Sequence, residues 1–465
     1  MNGPIEFLNG KVALYPGDCL DALRALPDSS IDSCVTDPPY ALASIVKRFG
    51  GANAAPVNNA GTKAGNVGDP YARAAAGFMG KKWDTGERAF AVEFWAEVLR
   101  VLKPGGHVLA FSGTRTYHRL ACAVEDAGFE IRDQIGWLYG SGFPKSHDVS
   151  KGIDKAAGAE REIIAKGRAV KRMIPGADQN KAGWEKTNGR VYEPTETAPA
   201  TDAAREWQGW GTALKPAWEP LVVARKPLDG TVAANVLAHG TGALNIDGCR
   251  VDAEAQRPWR QPRGIGSALA GSVDGSLRNE IADRSNMGRW PANIVHDGSE
   301  EVLAAFPETG AAKAGMRGEQ HSGRHGGLAD IGANLKDGTD TLRGHNDNGG
   351  SAARFFYTAK ADADDRIGSK HPTVKPINLM RYLVRLVTPP GGVVLDPFAG
   401  TGTTGQAAFL EGFCAILVER EAEYQADIAR RMELVLAGPD ERARAVVKAS
   451  GKMQDAGPLF AGEGA

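Results

Sequence analysis

Apolar and polar positions follow two clear rhythms toward the ends of the chain and neither rhythm in the middle. "IDSCVTDPPY" (31–40) is a short apolar run stopped by two prolines, and it predicts a buried strand. "FAVEFWAEVLRVL" (90–102) repeats its apolar residues about every 3.6 positions and predicts a helix. That helix ends at "KPGG", where proline and glycine stop helical pairing. "HVLAFSG" (107–113) predicts a second strand, and "YHRLACAVEDAGF" a second helix closed at Gly128. Near the other end, "GGVVLDPFAGTGTTGQAAFLEGFCAILVERE" reads as strand, glycine loop, helix and strand. Strands alternating with helices predict a parallel α/β sheet.

The middle of the chain breaks both rhythms. Residues 146–370 are rich in Gly, Asp, Asn and Arg and predict an irregular insertion. Residues 41–82, full of Ala, Gly and Asn, predict a long loop, a feature usually tied to function or disorder. Residues 437–465 predict a flexible C-terminal tail.

Composition narrows the function classes. A net charge of −1 over 465 residues gives no global field for a polyanion, so any nucleic-acid surface has to be local. The cysteines at 19, 34, 122, 249 and 414 form no C-x-x-C pair, which argues against a zinc site or a disulfide framework and suits a reducing cytoplasm. No stretch is long and apolar enough for a signal peptide or a membrane span, so a cytoplasmic location is expected.

Two motifs carry chemistry. In "TDPPYAL", prolines 38 and 39 end the sheet ladder and leave Asp37 and Tyr40 at the strand tip. In "VVLDPFAGTGTT" (393–404), a strand ends at Asp396, and Gly400 and Gly402 permit a tight turn before a helix. The next strand ends in Glu419, seventeen residues past Gly402, the place of an acid that holds ribose hydroxyls in Rossmann-like units. The loop is neither G-x-x-x-x-G-K-[ST] nor G-x-G-x-x-G. It suits an adenosine-bearing ligand without a phosphate chain, against the plainer reading of a strand-to-helix turn.

Together these residues resemble the S-adenosylmethionine-dependent DNA amino-methyltransferases, whose catalytic motif is [DNS]-P-P-[YFW] and whose cofactor motif is F-x-G-x-G. The order here, catalytic motif first, is similar to the circularly permuted β class. "LYPGDCLDAL", "GSGFPKSHDVSKGID", "LKPAWEPLVVARKPL", "GRWPANIV", "RFFYTAKA" and "HPTVKP" also match, so the resemblance covers most of residues 8–435. It implies a doubly wound, Rossmann-like, circularly permuted α/β sheet. Residues 8–145 would be the catalytic half, 146–370 a target-recognition region, 371–436 the cofactor half and 437–465 the tail. In a sheet of order 3-2-1-4-5, the "VVLD" strand would be strand 1 and the "SCVT" strand its neighbour, strand 4.

The resemblance also implies roles. Asp396, Phe398, Gly400, Gly402 and Thr403 would form the cofactor loop, with Glu419 on the ribose and Asp18 on the cofactor's adenine. Thr373 and Lys375 would lie near its methionine end. Asp37 and the Pro38 carbonyl would accept hydrogens from an exocyclic amine, the pair Pro38–Pro39 fixing that carbonyl. Tyr40 would stack on a base flipped from double-stranded DNA. Aspartate at the first motif position points to adenine N6. Cytosine N4 is the alternative, as are RNA as substrate and an inactive fold that only binds DNA.

Further partners come from local patches. Residues 145–190 hold eleven Lys or Arg against six acids, and "RPWRQPR" (257–263) sets three arginines around a tryptophan, both suited to phosphate contacts. Loop 41–82 is expected to close over the flipped base. The tail "MQDAGPLF" resembles a sliding-clamp-binding peptide through Leu459 and Phe460, with an unusual spacing from Gln454. A homodimer is open by analogy with β-class relatives. His321, His325 and His345 read as exposed loop histidines, with no metal expected.

Overall fold

The computed structural model describes residues 3–40, 88–142, 146–167, 195–251, 288–310, 349–359, 363–369, 371 and 373–438, with short stretches between and after them. Loop 41–82, the arginines of 257–263, the three loop histidines and the 453–460 peptide lie outside the described residues, as does much of the basic stretch 145–190.

Ten strands form one sheet. They are β1 (Ile5–Phe7), β2 (Val12–Pro16), β3 (Ile31–Thr36), β4 (Leu102–Phe111), β5 (Glu130–Leu138), β6 (Trp218–Arg225), β7 (Ile294–His296), β8 (Tyr357–Thr358), β9 (Val393–Asp396) and β10 (Cys414–Glu419). Their order is β1-β2-β10-β9-β3-β4-β6-β5-β7-β8. The stretch β2-β10-β9-β3-β4 is parallel throughout and has the expected order 3-2-1-4-5. β9 and β3 pair directly, Val394 with Ser33 and Leu395 with Cys34, although they lie at opposite ends of the chain.

Neighbouring residues of each central strand point to opposite faces, and both faces are covered. Val35, Leu109, Leu221, Val394 and Leu417 pack on one side with Leu383, Ala408 and Ile428. These come from helices α5 (Ile377–Val387), α6 (Thr403–Leu410) and α7 (Ala422–Leu434). Cys34, Val108, Val222, Leu395 and Val418 pack on the other side with Leu23, Phe94, Val98 and Leu120. Those come from α1 (Cys19–Ala25), α2 (Val92–Val101) and α3 (Tyr117–Asp126). Helices from the C-terminal part thus cover one face, and helices from the N-terminal part the other. Burying each such Leu, Val or Phe stabilises by about 1.5–3 kcal/mol relative to exposure.

β3 is buried along its whole length even though it carries Asp32, Ser33 and Thr36. Each polar side chain finds a partner in the C-terminal part, as buried polar groups must. Asp32 accepts from the Val393 N–H at 2.8 Å, besides pairing with Lys103. Ser33 Oγ lies 2.8 Å from Thr388 Oγ1, and Thr36 Oγ1 donates to Asp396 at 2.7 Å.

Two local expectations shift. α2 ends at Val101 and β4 starts at once with Leu102, paired to Ile31, so "KPGG" lies inside the strand with a register slip opposite β3. The segment 146–370 is not one insertion. Residues 141–217 form a separate compact unit, whereas β6, β7 and β8 belong to the main sheet. β7 and β8 have three and two residues, too short to show a period, and β6 sits among turn-forming residues that mask its "PLVVA" run.

The separate unit is built around helix α4 (Val149–Ala156) and a two-stranded ribbon of Ile163–Lys166 and Thr195–Thr197. Its buried Asp154 pairs with Arg161 at 2.6 Å and accepts from the N–H groups of Ala200 and Thr201 and from the Thr201 hydroxyl.

Among the described residues, no helix is long and apolar enough to cross a membrane, and no group of three or more His, Cys, Asp or Glu could hold a metal ion.

Candidate active site

Parallel pairing of β3 and β9 brings their carboxyl ends together, the edge where open α/β sheets bind ligands. β3 stops at Thr36, and Asp37, Pro38, Pro39 and Tyr40 follow. β9 stops at Asp396, and Phe398 through Thr403 follow.

The glycine loop has the backbone its sequence implies. Gly400 and Gly402 have φ of 53° and 78°, the left-handed region that favours glycine. A Cβ on Gly402 would meet Ile428 Cγ1 at 3.0 Å, and one on Gly400 would face the His371 ring at 3.4 Å. Gly402 is the N-cap of α6, and buried Thr403 opens that helix. Arg431 clamps the loop from beneath. Its guanidinium, 1% exposed, donates to the Thr401 carbonyl at 2.7 Å, to Gln406 Oε1 at 2.8 Å and to the Asp365 carbonyl at 2.7 Å. Burial, which disfavours the charged form, brings its pKa down to about 10.

Asp396 and Glu419 differ in what they can do. Asp396 is 2% exposed; Thr36 donates to its Oδ1, Thr404 to its Oδ2, and the Phe398 N–H to Oδ1 at 3.1 Å. Its carboxylate holds the loop in shape from below. Burial raises its pKa to about 6 against the opposing hydrogen bonds. Glu419, at the end of β10, accepts from Gly400 N–H at 2.9 Å and Glu421 N–H at 2.8 Å. Burial raises its pKa to about 7. Asp18 follows β2 beside it: Pro16 pairs with Glu419, and the Gly17 N–H donates to the Glu419 carbonyl. Asp18 caps α1 through the Leu20 N–H and is partly exposed. Phe398 packs against Phe94, ring centroids 5.1 Å apart.

The tip of β3 is held by residues that the motif does not contain. Lys375 Nζ lies 2.8 Å from Asp37 Oδ2, 3.1 Å from Glu219 Oε2 and 3.1 Å from the Tyr40 hydroxyl. The Tyr40 hydroxyl donates to Glu219 at 2.8 Å, and its carbonyl accepts from Thr116 Oγ1 at 2.8 Å. Gly113 leaves room for the Tyr40 ring, since a Cβ there would meet Tyr40 Cδ2 at 3.3 Å. Lys375 is 6% exposed. Burial works to lower its pKa, but the Asp37 and Glu219 carboxylates outweigh this and hold it above lysine's ordinary value. Burial first, then the same two acids, keep the Tyr40 phenol neutral well beyond its ordinary pKa. Asp37 Oδ1 is buried and has no hydrogen-bond partner among the described residues.

The structure therefore sorts the predicted residues into two neighbouring groups. Asp37, Pro38, Pro39, Tyr40 and Lys375 gather at one; Asp396, Phe398, Gly400, Gly402, Thr403, Glu419 and Asp18 at the other. Lys375 was expected near a cofactor's methionine end; its ammonium lies between the half-buried carboxylates of Asp37 and Glu219. Thr373 is exposed at the side, and its carbonyl lies 2.7 Å from His371 Nδ1, which makes that nitrogen the donor. Glu219, Gly113, Thr116, His371, Thr404 and Arg431 were not singled out from the sequence. The signals for Glu219 were an isolated acid at the head of the apolar run "PLVVA" and its place in the matching segment "LKPAWEPLVVARKPL".

The family model for N6/N4 methyltransferases, described as a DNA methylase, matches residues 31–430. The chain belongs to this DNA methylase family. The match runs from β3 into α7, so it includes both the DPPY tip and the glycine loop. Among curated relatives, type II methyltransferase M.HindIII of Haemophilus influenzae is 23% identical over 321 residues, 68% of this chain and 60% of the relative. DNA adenine methyltransferase YhdJ of Escherichia coli K12 is 41% identical over 64 residues, 14% of this chain and 22% of the relative. The chain thus spans less than two thirds of the length of these relatives. Among solved structures, PvuII DNA methyltransferase (cytosine-N4-specific) aligns over 95% of this chain and 93% of its own at 14% identity, with a TM-score of 0.37.

Proposed function

We propose that this family member transfers a methyl group from S-adenosylmethionine to the exocyclic amine of a base flipped out of double-stranded DNA, with adenine N6 as the target. The observation that carries this reading is the contact of the two motif strands at their carboxyl ends, closed by the Thr36–Asp396 hydrogen bond. That contact sets the DPPY tip beside the glycine loop, which supports a methyl donor and an amine meeting there.

The residues present fit that cofactor. Glycine at 400 and 402 gives the loop its left-handed turns and puts no side chain at those two positions, so the backbone there can lie close to a ligand. Glu419 would take the ribose, Asp18 the adenine amine, and Phe398 and the backbone of 400–403 the body of the cofactor. When bound, the cofactor supplies an electrophilic methyl group on a sulfonium.

Asp37 Oδ1, which lacks a partner among the described residues, is one acceptor, and the Pro38 carbonyl is the second. An exocyclic amine is a poor nucleophile because its lone pair is delocalised into the ring. Two acceptors on its two hydrogens draw it toward a tetrahedral shape and localise that pair, so positioning and aligned acceptors supply the catalysis. No covalent enzyme intermediate is required. The Tyr40 ring would stack on the extruded base.

Aspartate in the first motif position and the likeness to a relative named a DNA adenine methyltransferase favour adenine N6. The parts of residues 146–370 outside β6, β7 and β8 are proposed to contribute target recognition. A second copy of the chain, a sliding clamp engaged through Leu459 and Phe460, and a cytoplasmic location are proposed on the resemblance and the sequence alone.

The test is methyl transfer from labelled S-adenosylmethionine to duplex DNA by the wild-type chain and by Asp37→Ala. Product nucleosides are identified by mass after digestion. N6-methyladenine from the wild type alone supports the reading. Equal transfer by Asp37→Ala sinks it, and N4-methylcytosine moves the target to cytosine.

A further inference from the structure

Glu219 reaches the site from a strand that belongs to neither motif. β6 runs antiparallel to β4, with Leu221 opposite Phe111. The residues before Leu221 therefore overhang the edge at which the parallel strands β3, β4 and β9 end. A parallel strand would have delivered its last residues to that edge; this strand delivers its second.

Glu219 meets Tyr40 and Lys375 there, and Tyr139 is a further hydrogen-bonding neighbour. Glu219 Oε2 accepts from the Tyr40 hydroxyl at 2.8 Å and pairs with Lys375 Nζ at 3.1 Å. Lys375 has Asp37 as its other anion, at 2.8 Å, and its ammonium also sits over the Phe111 ring, 4.7 Å from the centroid. The three charged side chains are 7%, 18% and 21% exposed for Lys375, Glu219 and Asp37, so solvent screens them little. An ammonium shared by two such carboxylates is held by both. Remove the charge of one, and the whole pull falls on the other.

Resting on the reading that Asp37 receives the target amine, we propose that Glu219 is a positioning residue: it shares the Lys375 ammonium with Asp37, which keeps the Asp37 carboxylate open to an amine, and it pins the Tyr40 ring at the tip. Asp37 Oδ1, buried and without a partner among the described residues, is the oxygen that this sharing leaves unpaired. Without the Glu219 charge, Lys375 becomes a competitor of the target amine for Asp37. Glutamine at 219 can still accept the Tyr40 hydroxyl, so the two duties separate in one isosteric variant.

The experiment measures single-turnover methyl transfer to duplex DNA, cofactor affinity and melting temperature. The proteins are the full-length wild type, Glu219→Gln, Lys375→Met and the double variant. Glu219→Gln should slow transfer by about tenfold or more, with cofactor affinity and melting temperature near those of the wild type. Adding Lys375→Met to Glu219→Gln should restore transfer by about threefold or more, because the competitor is gone; contact residues couple in this non-additive way. Glu219→Gln within about twofold of wild type in transfer overturns the proposal. So does a loss that tracks the melting temperature, or a double variant no faster than Glu219→Gln. A wild-type chain that moves no methyl group to any DNA overturns the reading of the site itself, a result distinct from an active wild type with an indifferent Glu219.

Discussion

Thr36 Oγ1 donates a hydrogen bond to Asp396 Oδ1 across 2.7 Å, joining residues 360 positions apart in the chain. Each is the last residue of its strand, and each is followed at once by a motif. The bond therefore fixes the spacing between the DPPY tip and the glycine loop. Thr36→Val keeps the shape and removes the donor, leaving a buried carboxylate oxygen short of a partner. A loss of about 1–3 kcal/mol in urea unfolding is expected, together with weaker cofactor binding. Thr36→Ser should recover most of both, and an unchanged unfolding midpoint for Thr36→Val would remove this bond from the account.

Gly402→Ala tests the loop. At φ of 78° an alanine is strained, by about 1–2 kcal/mol for a left-handed residue. Its Cβ would also press on Ile428 Cγ1 at 3.0 Å, inside the core beneath α6. The variant should fold with lowered stability and lose cofactor affinity in calorimetry. Relieving the contact with Ile428→Val should return part of the stability but little of the affinity, because the backbone strain persists.

The motifs could be read from sequence because each is a local pattern that ends a strand, and neighbouring strands 1 and 4 follow from the doubly wound order. Glu219 could not. It sits 179 residues from Tyr40, and only the antiparallel course of β6 carries it to the carboxyl edge. Arg431 reads in sequence as one of several charges on a solvated helix; it is buried because two carbonyls and the Gln406 side chain accept its protons. Lys375 was legible as a site residue, but its partners were not, since pairing of charges depends on which strands meet. β7 and β8 were hidden by brevity: three and two residues carry no period.

Asp154 ties together the separate unit of residues 141–217, and its titration sets an acid limit for that unit. Burial acts to raise its pKa, but the Ala200 and Thr201 donors and Arg161 outweigh this and push it down to about 2 from an ordinary 3.8. A folded pKa below the unfolded one gives stability that is complete above the unfolded value and is lost as pH falls through the folded value. The loss should therefore run from about pH 4 to about pH 2. Hydrogen-exchange protection of the Ala200 and Thr201 amides should fall over that window, and in Asp154→Asn it should be low already at pH 5. Protection unchanged at pH 2 would contradict the assignment.

The Glu419 pKa is shifted the other way, upward, and this places a pH dependence of ligand binding near neutrality. Burial raises its pKa to about 7, with the Glu421 carboxylate adding to the rise and the backbone N–H groups of Glu421, Gly400 and Arg420 opposing it. Below pH 7 the free protein then carries mostly a protonated Glu419, which accepts ribose hydroxyls less well than the carboxylate. Binding that requires the carboxylate releases a proton, so affinity should rise with pH up to about 7 and level off above it. The steepest part should approach about tenfold per pH unit. His371, which faces the loop, has its own pKa lowered by burial. Calorimetry with S-adenosylmethionine from pH 5.5 to 8.5, in buffers of different ionisation heat, reads both the affinity and the released proton. Glu419→Gln should bind more weakly at pH 8 and show a flattened profile. A flat profile in the wild type would mean that Glu419 is not the ribose acceptor.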